Sequence, residues 1–510
     1  MESRNLATAQ EMVRSGEYLI PTMNGELRLE KPPLPTWIAA GIEHIIPGSL
    51  VAQRCAAGIM ATVMVFFLYF ITSRLTRNRN VGFLASLILA SCFSVVLLGR
   101  TASWDIYCHS FMLGAIYFFI LAFEEEGSQW KNFILTGIFL GLSFLSKGPV
   151  SFYALFLPFL ISFIFVYKPG IKNKVAPLIV MVLICVVISC WWTAYIYIFH
   201  QEMLINVVKK ESSSWLNHSV RPWYYYWKFP AEAGVWALFL ITSIIYFFVS
   251  KRRENKREFR FFFVWLAASL ILLSLIPEKK ARYLLPILIP GSGVIAFYIY
   301  RCFKGLNKHG EKLIFRINAM LITLILAAIP FIMYSMFYKE GIISLTILIL
   351  SVVFSWGLCV YIMKCLFHKS GVQVLGTFGG IIVCMVMIEA FCLIPIGHMF
   401  INEERHSIRM LRTNEEVADL PFFYNKEETL RMELVYEANQ TIVPIDVTDS
   451  TFIYKNAPFV FISGQPITDV FAGMNIEVDS IDTFDNNWQR PNQRHYNLGL
   501  VREVAIIKTK

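Results

Sequence analysis

Apolar runs of bilayer length follow one another along most of the chain. A helix needs about 20 apolar residues to cross the hydrocarbon. Runs at 50–73, 80–98, 105–124, 131–146, 150–168, 173–199, 232–250, 258–276, 284–302, 313–337, 341–365 and 374–396 meet or approach that length. They predict twelve membrane-spanning helices, with 131–146 the shortest. Ahead of them, "SRNLATAQEMVRS" (3–15) sets Leu6, Ala9, Met12 and Val13 on one side at helical spacing. It is too polar to span and is expected to lie on the membrane surface. Residues 34–46 predict a second interfacial helix. After the last run the period changes. "TIVPIDV", "FVFIS" and "VREVAIIK" read as strands between polar loops, which predicts a small mixed α/β domain. The expected organisation is therefore 1–48, interfacial helices and a first loop; 49–397, a transmembrane domain; and 398–510, a soluble α/β domain.

Composition agrees with this division. Hydrophobic residues make up 56% of the 510 and charged residues 16%, against about 25% charged in soluble domains. The fold class is a polytopic α-helical membrane protein. The net charge of +10 is unevenly spread, because residues 401–510 hold 11 Lys/Arg against 17 Asp/Glu. Short loops rich in Lys and Arg stay cytoplasmic. "RLTRNRN", "YKPGIKNK", "KRRENKRE" and "FKGLNKHGEK" mark that side. The N-terminus, the loops at 99–104, 147–149, 200–231 and 277–283, and the tail then face outward. The basic balance thus belongs to topology. With no glycine-rich phosphate loop and no nucleic-acid motif, no polynucleotide partner is expected. All ten cysteines precede residue 400 with no Cys-x-x-Cys pair. They read as small core hydrophobes, neither a disulfide framework nor a zinc cluster.

The polar residues of interest gather on the expected outer side. Arg100, Lys147, Lys279, Lys280 and Arg282 occupy helix ends where the positive-inside rule disfavours cations. Snorkelling to headgroups accounts for any one of them; as a group they point to an anionic ligand. Glu30-Lys31 stands before Pro32-Pro33, whose missing donors and fixed φ stiffen the approach to a helix. Asp105 opens a span in "RTASWDIYCHSF", as a helix-end cap or as an acid of a site. His218 lies in the aromatic loop "WLNHSVRPWYYYW", and "PEKKARYLLPILIP" puts three cations beside Tyr283.

Taken in order, these stretches resemble a known family. "SRNLATAQEMVRSGEYLIPTMNGELRLEKPPLPTWIAAG" is similar to the first outer loop of the aminoarabinose transferases of lipid A. These belong with the protein O-mannosyltransferases to the GT-C membrane glycosyltransferases. "RTASWD", "LSKGP", "HSVRPWYYY" and "KKARYLLP" follow as further landmarks, over residues 2 to about 300. The resemblance implies transfer of a sugar from a polyprenyl-phosphate donor to a lipid, glycan or protein acceptor at the outer face of the cytoplasmic membrane. It implies Glu2, Glu30 and Asp105 as catalytic acids. Arg4, Lys31, Lys147, Arg221, Lys279, Lys280, Arg282 and Tyr283 become the donor-phosphate set. Glu30 with His218 would hold a divalent metal, zinc by resemblance.

The chemistry of these residue types fits. Breaking a glycosyl–phosphate bond leaves negative charge on the departing phosphate, and fixed cations stabilise that charge as it develops.

This chain departs from the family pattern in three places. The family's first loop begins Asp-Glu-x-Arg, whereas here Met1 precedes Glu2-Ser3-Arg4. The family has thirteen spans against the twelve counted. His218 stands one residue further from the following proline. The first two share one explanation, the expectation that a span of about 20 apolar residues ending in Asp precedes Glu2. The other reading is a divergent homologue, in which Glu2 or Asp105 serves as base or no chemistry is done. A transporter or flippase of a lipid-linked sugar is the rival class. It would place ionisable residues at mid-bilayer, often in paired repeats.

Overall fold

The structure, a computed structural model, describes residues 2–124, 129–217, 219–249, 256–306, 309–399, 401–491 and 493–510. The chain forms two compact units. One comprises Glu30–Leu34 and Leu50–Pro395, the other Met1–Leu29, Pro35–Ser49 and Ile396–Lys510.

The first unit is helical, as lipid requires of any backbone that cannot close a barrel. All twelve predicted runs are helices. Among the described residues eight are long and apolar enough to cross a membrane alone, or up to ten if each bent pair is one span. The bent pairs are Arg79–Ala90 with Phe93–Gly99, at 65°, and Trp223–Glu232 with Gly234–Val249, at 100°. The other two predicted spans fall short. Phe152–Tyr167 is a short apolar helix that opens with a π-turn; at 1.5 Å per residue it reaches about 24 Å. Gln129–Lys147 is diluted by polar residues at both ends. That helix packs tightly on Val175–Phe199: a Cβ on Gly137 would lie 2.5 Å from the Met181 carbonyl, and one on Gly141 2.5 Å from Ile188 Cβ. Small residues allow such close approach where hydrocarbon gives helices no hydrophobic reason to associate. Two spans form the interior of the unit, Trp104–Phe123 and Ala281–Lys304, the second 94% buried over its apolar window.

The second unit carries a five-stranded sheet. Its strands are β3 (Phe422–Asn425), β4 (Ile442–Ile445), β5 (Phe459–Ser463), β6 (Ile476–Asp485) and β7 (Val501–Thr509), in the order β4-β3-β5-β7-β6. The first three are parallel, joined by the short helices Met432–Ala438 and Ser450–Asn456; β7 is antiparallel to β5 and β6. Phe459, Phe461, Ala505 and Ile507 are buried at the centre of one face. The predicted strands are β4, β5 and β7; β3 (FFYN) does not alternate, and the alternation of β6 is interrupted by a bulge between Ser480 and Asp482.

The expectation of a surface-lying N-terminal helix is corrected. Helix Glu2–Ser15 is buried from Asn5 to Met12 without a break, so protein covers every side of it. Its polar residues are partnered rather than solvated. Thr36 Oγ1 donates to Asn5 Oδ1 at 2.7 Å, Arg28 Nη1 to Thr8 Oγ1 at 2.7 Å, and Gln10 Nε2 to Glu43 Oε1 at 3.4 Å. Glu11 takes the backbone N–H of both Asn24 and Gly25 at 2.8 Å. Those two residues turn the hairpin between β1 (Thr22–Met23) and β2 (Glu26–Leu27), with φ of 59° and 77°. Asn-Gly favours this two-residue turn because both positions need positive φ.

Asn24 also pairs with Ile442 of edge strand β4, donating to its carbonyl and accepting from its N–H, both at 2.7 Å. The side-chain amide thus stands in for a neighbouring peptide on an otherwise open edge. Arg14 adds bonds to the Asn439 carbonyl at 2.6 Å and to Thr441 Oγ1 at 2.8 Å. Asn24→Gly keeps the turn and removes only the amide. At about 0.5–1.5 kcal/mol per hydrogen bond, the unit should lose about 1–3 kcal/mol of local stability. Hydrogen exchange should quicken in peptides covering 22–27 and 440–446 and nowhere in the membrane helices; unchanged exchange there would refute the edge-cap role.

Candidate active site

The candidate site of the membrane unit starts from two helix ends. Asp105 lies in the first turn of Trp104–Phe123, and Lys147 is the last residue of Gln129–Lys147. A carboxylate at a helix N-terminus and an ammonium at a C-terminus each complement the helix dipole. In "SKGP", Gly148 adopts φ of 67° and returns its N–H to the Phe144 carbonyl, a left-handed stop that delivers Lys147 to the helix end. The two helices pack side by side, and Lys147 Nζ donates to Asp105 Oδ1. Both side chains are almost wholly buried.

Arg282 completes the group, its Nε 4.0 Å from Asp105 Oδ2. Tyr283 packs beside it. Its ring centroid lies 5.3 Å from Lys147 Nζ, 5.8 Å from Lys280 Nζ and 5.5 Å from Arg282 Cζ. One aromatic ring thus borders three cations. Lys280 Nζ is hydrogen-bonded to Glu278, and its backbone N–H donates to Tyr226 Oη at 3.1 Å. Lys279 differs from its neighbours: it is buried, and its ammonium turns back to the Ile276 carbonyl of its own loop. Burial lowers its pKa from the ordinary lysine value.

The loops are also joined through the backbone. Arg221 N–H donates to the Pro277 carbonyl and Lys279 N–H to the Ser219 carbonyl, both at 3.2 Å. "SVRP" and "PEKK" therefore form one short antiparallel bridge, with Val220 opposite Glu278. The Arg221 side chain is exposed. Beneath the cluster, His109 Nδ1 and Ser151 Oγ are 2.7 Å apart and both buried.

Of the residues singled out in the sequence, the structure gathers Asp105, Lys147, Lys280, Arg282 and Tyr283, with the Arg221 backbone tied to the same loop. Glu30 and Lys31 belong to the same unit and are half-buried in the bend before the Leu34–Ile45 helix. Glu2 and Arg4 belong to the other unit, where the Arg4 carbonyl accepts from Thr8 Oγ1 and Arg28. His218 lies outside the described residues. Among those described, no three His, Cys, Asp or Glu come together as a metal site. Sequence reasoning missed Glu278 and Tyr226. Glu278 had a signal, as a lone acid beside cations in a loop between two spans; Tyr226 had none, being one of three consecutive tyrosines.

The family model "Dolichyl-phosphate-mannose-protein mannosyltransferase" matches residues 30–193, a stretch that contains Glu30, Lys31, Asp105 and Lys147. A crystal structure of ArnT from Cupriavidus metallidurans bound to undecaprenyl phosphate superposes with a TM-score of 0.68 at 13% identity, covering 99% of this chain and 93% of that one. The chain shares the fold of that protein. Among curated relatives, an undecaprenyl phosphate-alpha-4-amino-4-deoxy-L-arabinose arabinosyl transferase of Yersinia enterocolitica is 24% identical over 62% of this chain and 58% of its own length. An uncharacterised protein of Aquifex aeolicus is 28% identical over 56% of each. The chain spans less than two thirds of the length of these curated relatives.

Proposed function

We propose that this protein is a membrane glycosyltransferase. It moves a sugar from a polyprenyl-phosphate donor to a lipid, glycan or protein acceptor, at the outer face of the cytoplasmic membrane. The observation that carries the reading is the cation group Lys147, Lys280 and Arg282 around Tyr283, built on buried Asp105 at the helix ends. The fold it shares with a protein bound to undecaprenyl phosphate supports it further.

In the reaction an acceptor oxygen forms a bond to the anomeric carbon while the bond from that carbon to the phosphate oxygen breaks. The electron pair stays on the phosphate, and the acceptor's proton passes to a base. Arg282 and Lys280 meet the phosphate charge in this reading, with Lys31 and Arg221 the further donor cations of the same unit. Asp105 positions Lys147 and Arg282, since one of its oxygens is already taken by Lys147. Of the other two acids, Glu30 shares the membrane unit with these cations and is the candidate base. The sugar is read as a pentose or hexose. A transporter is not favoured: among the described residues, the pairs Arg74–Glu124, Lys147–Asp105, Lys280–Glu278 and Arg282–Asp105 lie at helix ends or in loops, and of the paired side chains only Glu389, partner of Arg100, stands inside a span.

The test is to incubate proteoliposomes with a panel of labelled undecaprenyl-phosphate pentoses and hexoses plus envelope acceptors. One donor should lose its label to a lipid, glycan or protein fraction, with free undecaprenyl phosphate released in equal amount. Donor that crosses the bilayer intact, or no consumption of any donor, would overturn the reading.

A further inference from the structure

The loop bonded to the cation group presents an unusual outer surface. Tyr226 is fully buried and anchors the Trp223–Lys228 turn through its hydroxyl to the Lys280 N–H. The residues around it point away from protein. Trp223, Tyr224 and Trp227 are each more than half exposed, and the two tryptophan rings meet edge to face with centroids 5.0 Å apart. Arg221 and Lys228 are exposed at either end of the turn, and Lys228 Nζ lies 4.3 Å from the Tyr225 centroid. The helix leading into the loop, Gln201–Asn217, adds exposed Met203, Ile205 and Val208 beside exposed Lys209.

Large aromatic rings left in water form an apolar patch that soluble surfaces avoid. Trp and Tyr favour the headgroup level of a bilayer, where one end of the ring is apolar and the other wet. A loop joining two spans already stands at that level. The flanking cations then decide the lipid. Arg221, Lys228 and Lys209 complement negatively charged headgroups and find no such complement in zwitterionic ones.

We propose that Arg221–Lys228 is a docking surface for anionic phospholipid headgroups, and that its seating holds the Lys279–Arg282 loop at headgroup depth. The coupling runs through three hydrogen bonds: Arg221 N–H to the Pro277 carbonyl and Lys279 N–H to the Ser219 carbonyl at 3.2 Å, and Lys280 N–H to Tyr226 Oη at 3.1 Å. A shift of the aromatic turn therefore carries the backbone of Lys279 and Lys280 with it. The docking does not rest on the transferase reading, and its test reads no activity.

The full-length protein is placed in nanodiscs containing phosphatidylcholine with either brominated phosphatidylglycerol or brominated phosphatidylcholine at equal mole fraction. Tryptophan fluorescence should be quenched more by the brominated anionic lipid. That excess should fall by at least half in Trp223→Phe/Trp227→Phe and in Lys228→Gln. Equal quenching by the two lipids, or an excess that survives loss of both tryptophans, overturns the docking. The coupling is read on the unmutated protein, so no variant need fold. Hydrogen exchange of the 277–283 peptide should be at least twofold slower in phosphatidylglycerol than in phosphatidylcholine discs. Equal exchange overturns the coupling.

Discussion

Arg282→Ala should lower sugar transfer by about 10²–10³-fold, the cost of removing one preorganised group that faces charge developing in a transition state. The guanidinium is held between Asp105, 4.0 Å from Nε, and the Tyr283 ring, 5.5 Å from Cζ. It therefore needs no reorganisation when the phosphate leaves. The loss should fall on kcat rather than KM, because the phosphate of the bound donor is less negative at the bridging oxygen than the one departing. Arg282→Lys keeps the charge beside Asp105 but loses the planar fork that matches phosphate, so it should recover only part of the rate. Initial rates against donor concentration for the three proteins decide the point. A variant with unchanged kcat would remove Arg282 from the reaction and leave it a partner of Asp105 alone.

The largest effect on stability belongs to Lys147. Lys147→Met leaves the Asp105 carboxylate 1% exposed with its closest cation gone. Breaking one side of a buried ion pair costs about 3–5 kcal/mol, since the remaining charge stays desolvated. Thermal unfolding in a single detergent should show a large fall for Lys147→Met. The fall should be mostly restored in Asp105→Asn/Lys147→Met, where no lone charge remains. A double variant whose loss equals the sum of the two single losses would show the residues to be energetically independent. Transfer activity need not return with stability, because Asp105 also orients Arg282.

The sequence by itself determined the helices. In hydrocarbon every backbone group must bond within its own segment, so an apolar run of sufficient length has one outcome and can be read locally. All twelve runs are helical for that reason, and the Lys/Arg bias of their loops is equally local. The strands of the tail were legible where apolar residues are dense, as in β5 and β7, and not in β3 or in β6, where acids stand between the apolar residues and a bulge interrupts the alternation. The cations Lys147, Lys280 and Arg282 could be picked out because each violates a rule of composition at its position. Asp105 could not be assigned between cap and acid, since both readings need the same residue at the same helix end.

Only the tertiary structure decided what those residues touch. Lys147 lies 42 positions from Asp105 in sequence, and Asn24 lies 418 from Ile442; no periodicity encodes either pairing. The same limit explains the misplaced N-terminal helix. Its polar residues suggested a solvated face, but Thr36, Arg28, Gln10's partner Glu43 and the Asn24-Gly25 turn satisfy them inside protein. Among the three tyrosines of "WYYYW", identical in type, the fold buries Tyr226 and leaves Tyr224 in the open. A period tells which side of a helix or strand a residue occupies. What lies against that side is a property of distant segments, brought near only when the whole chain has packed.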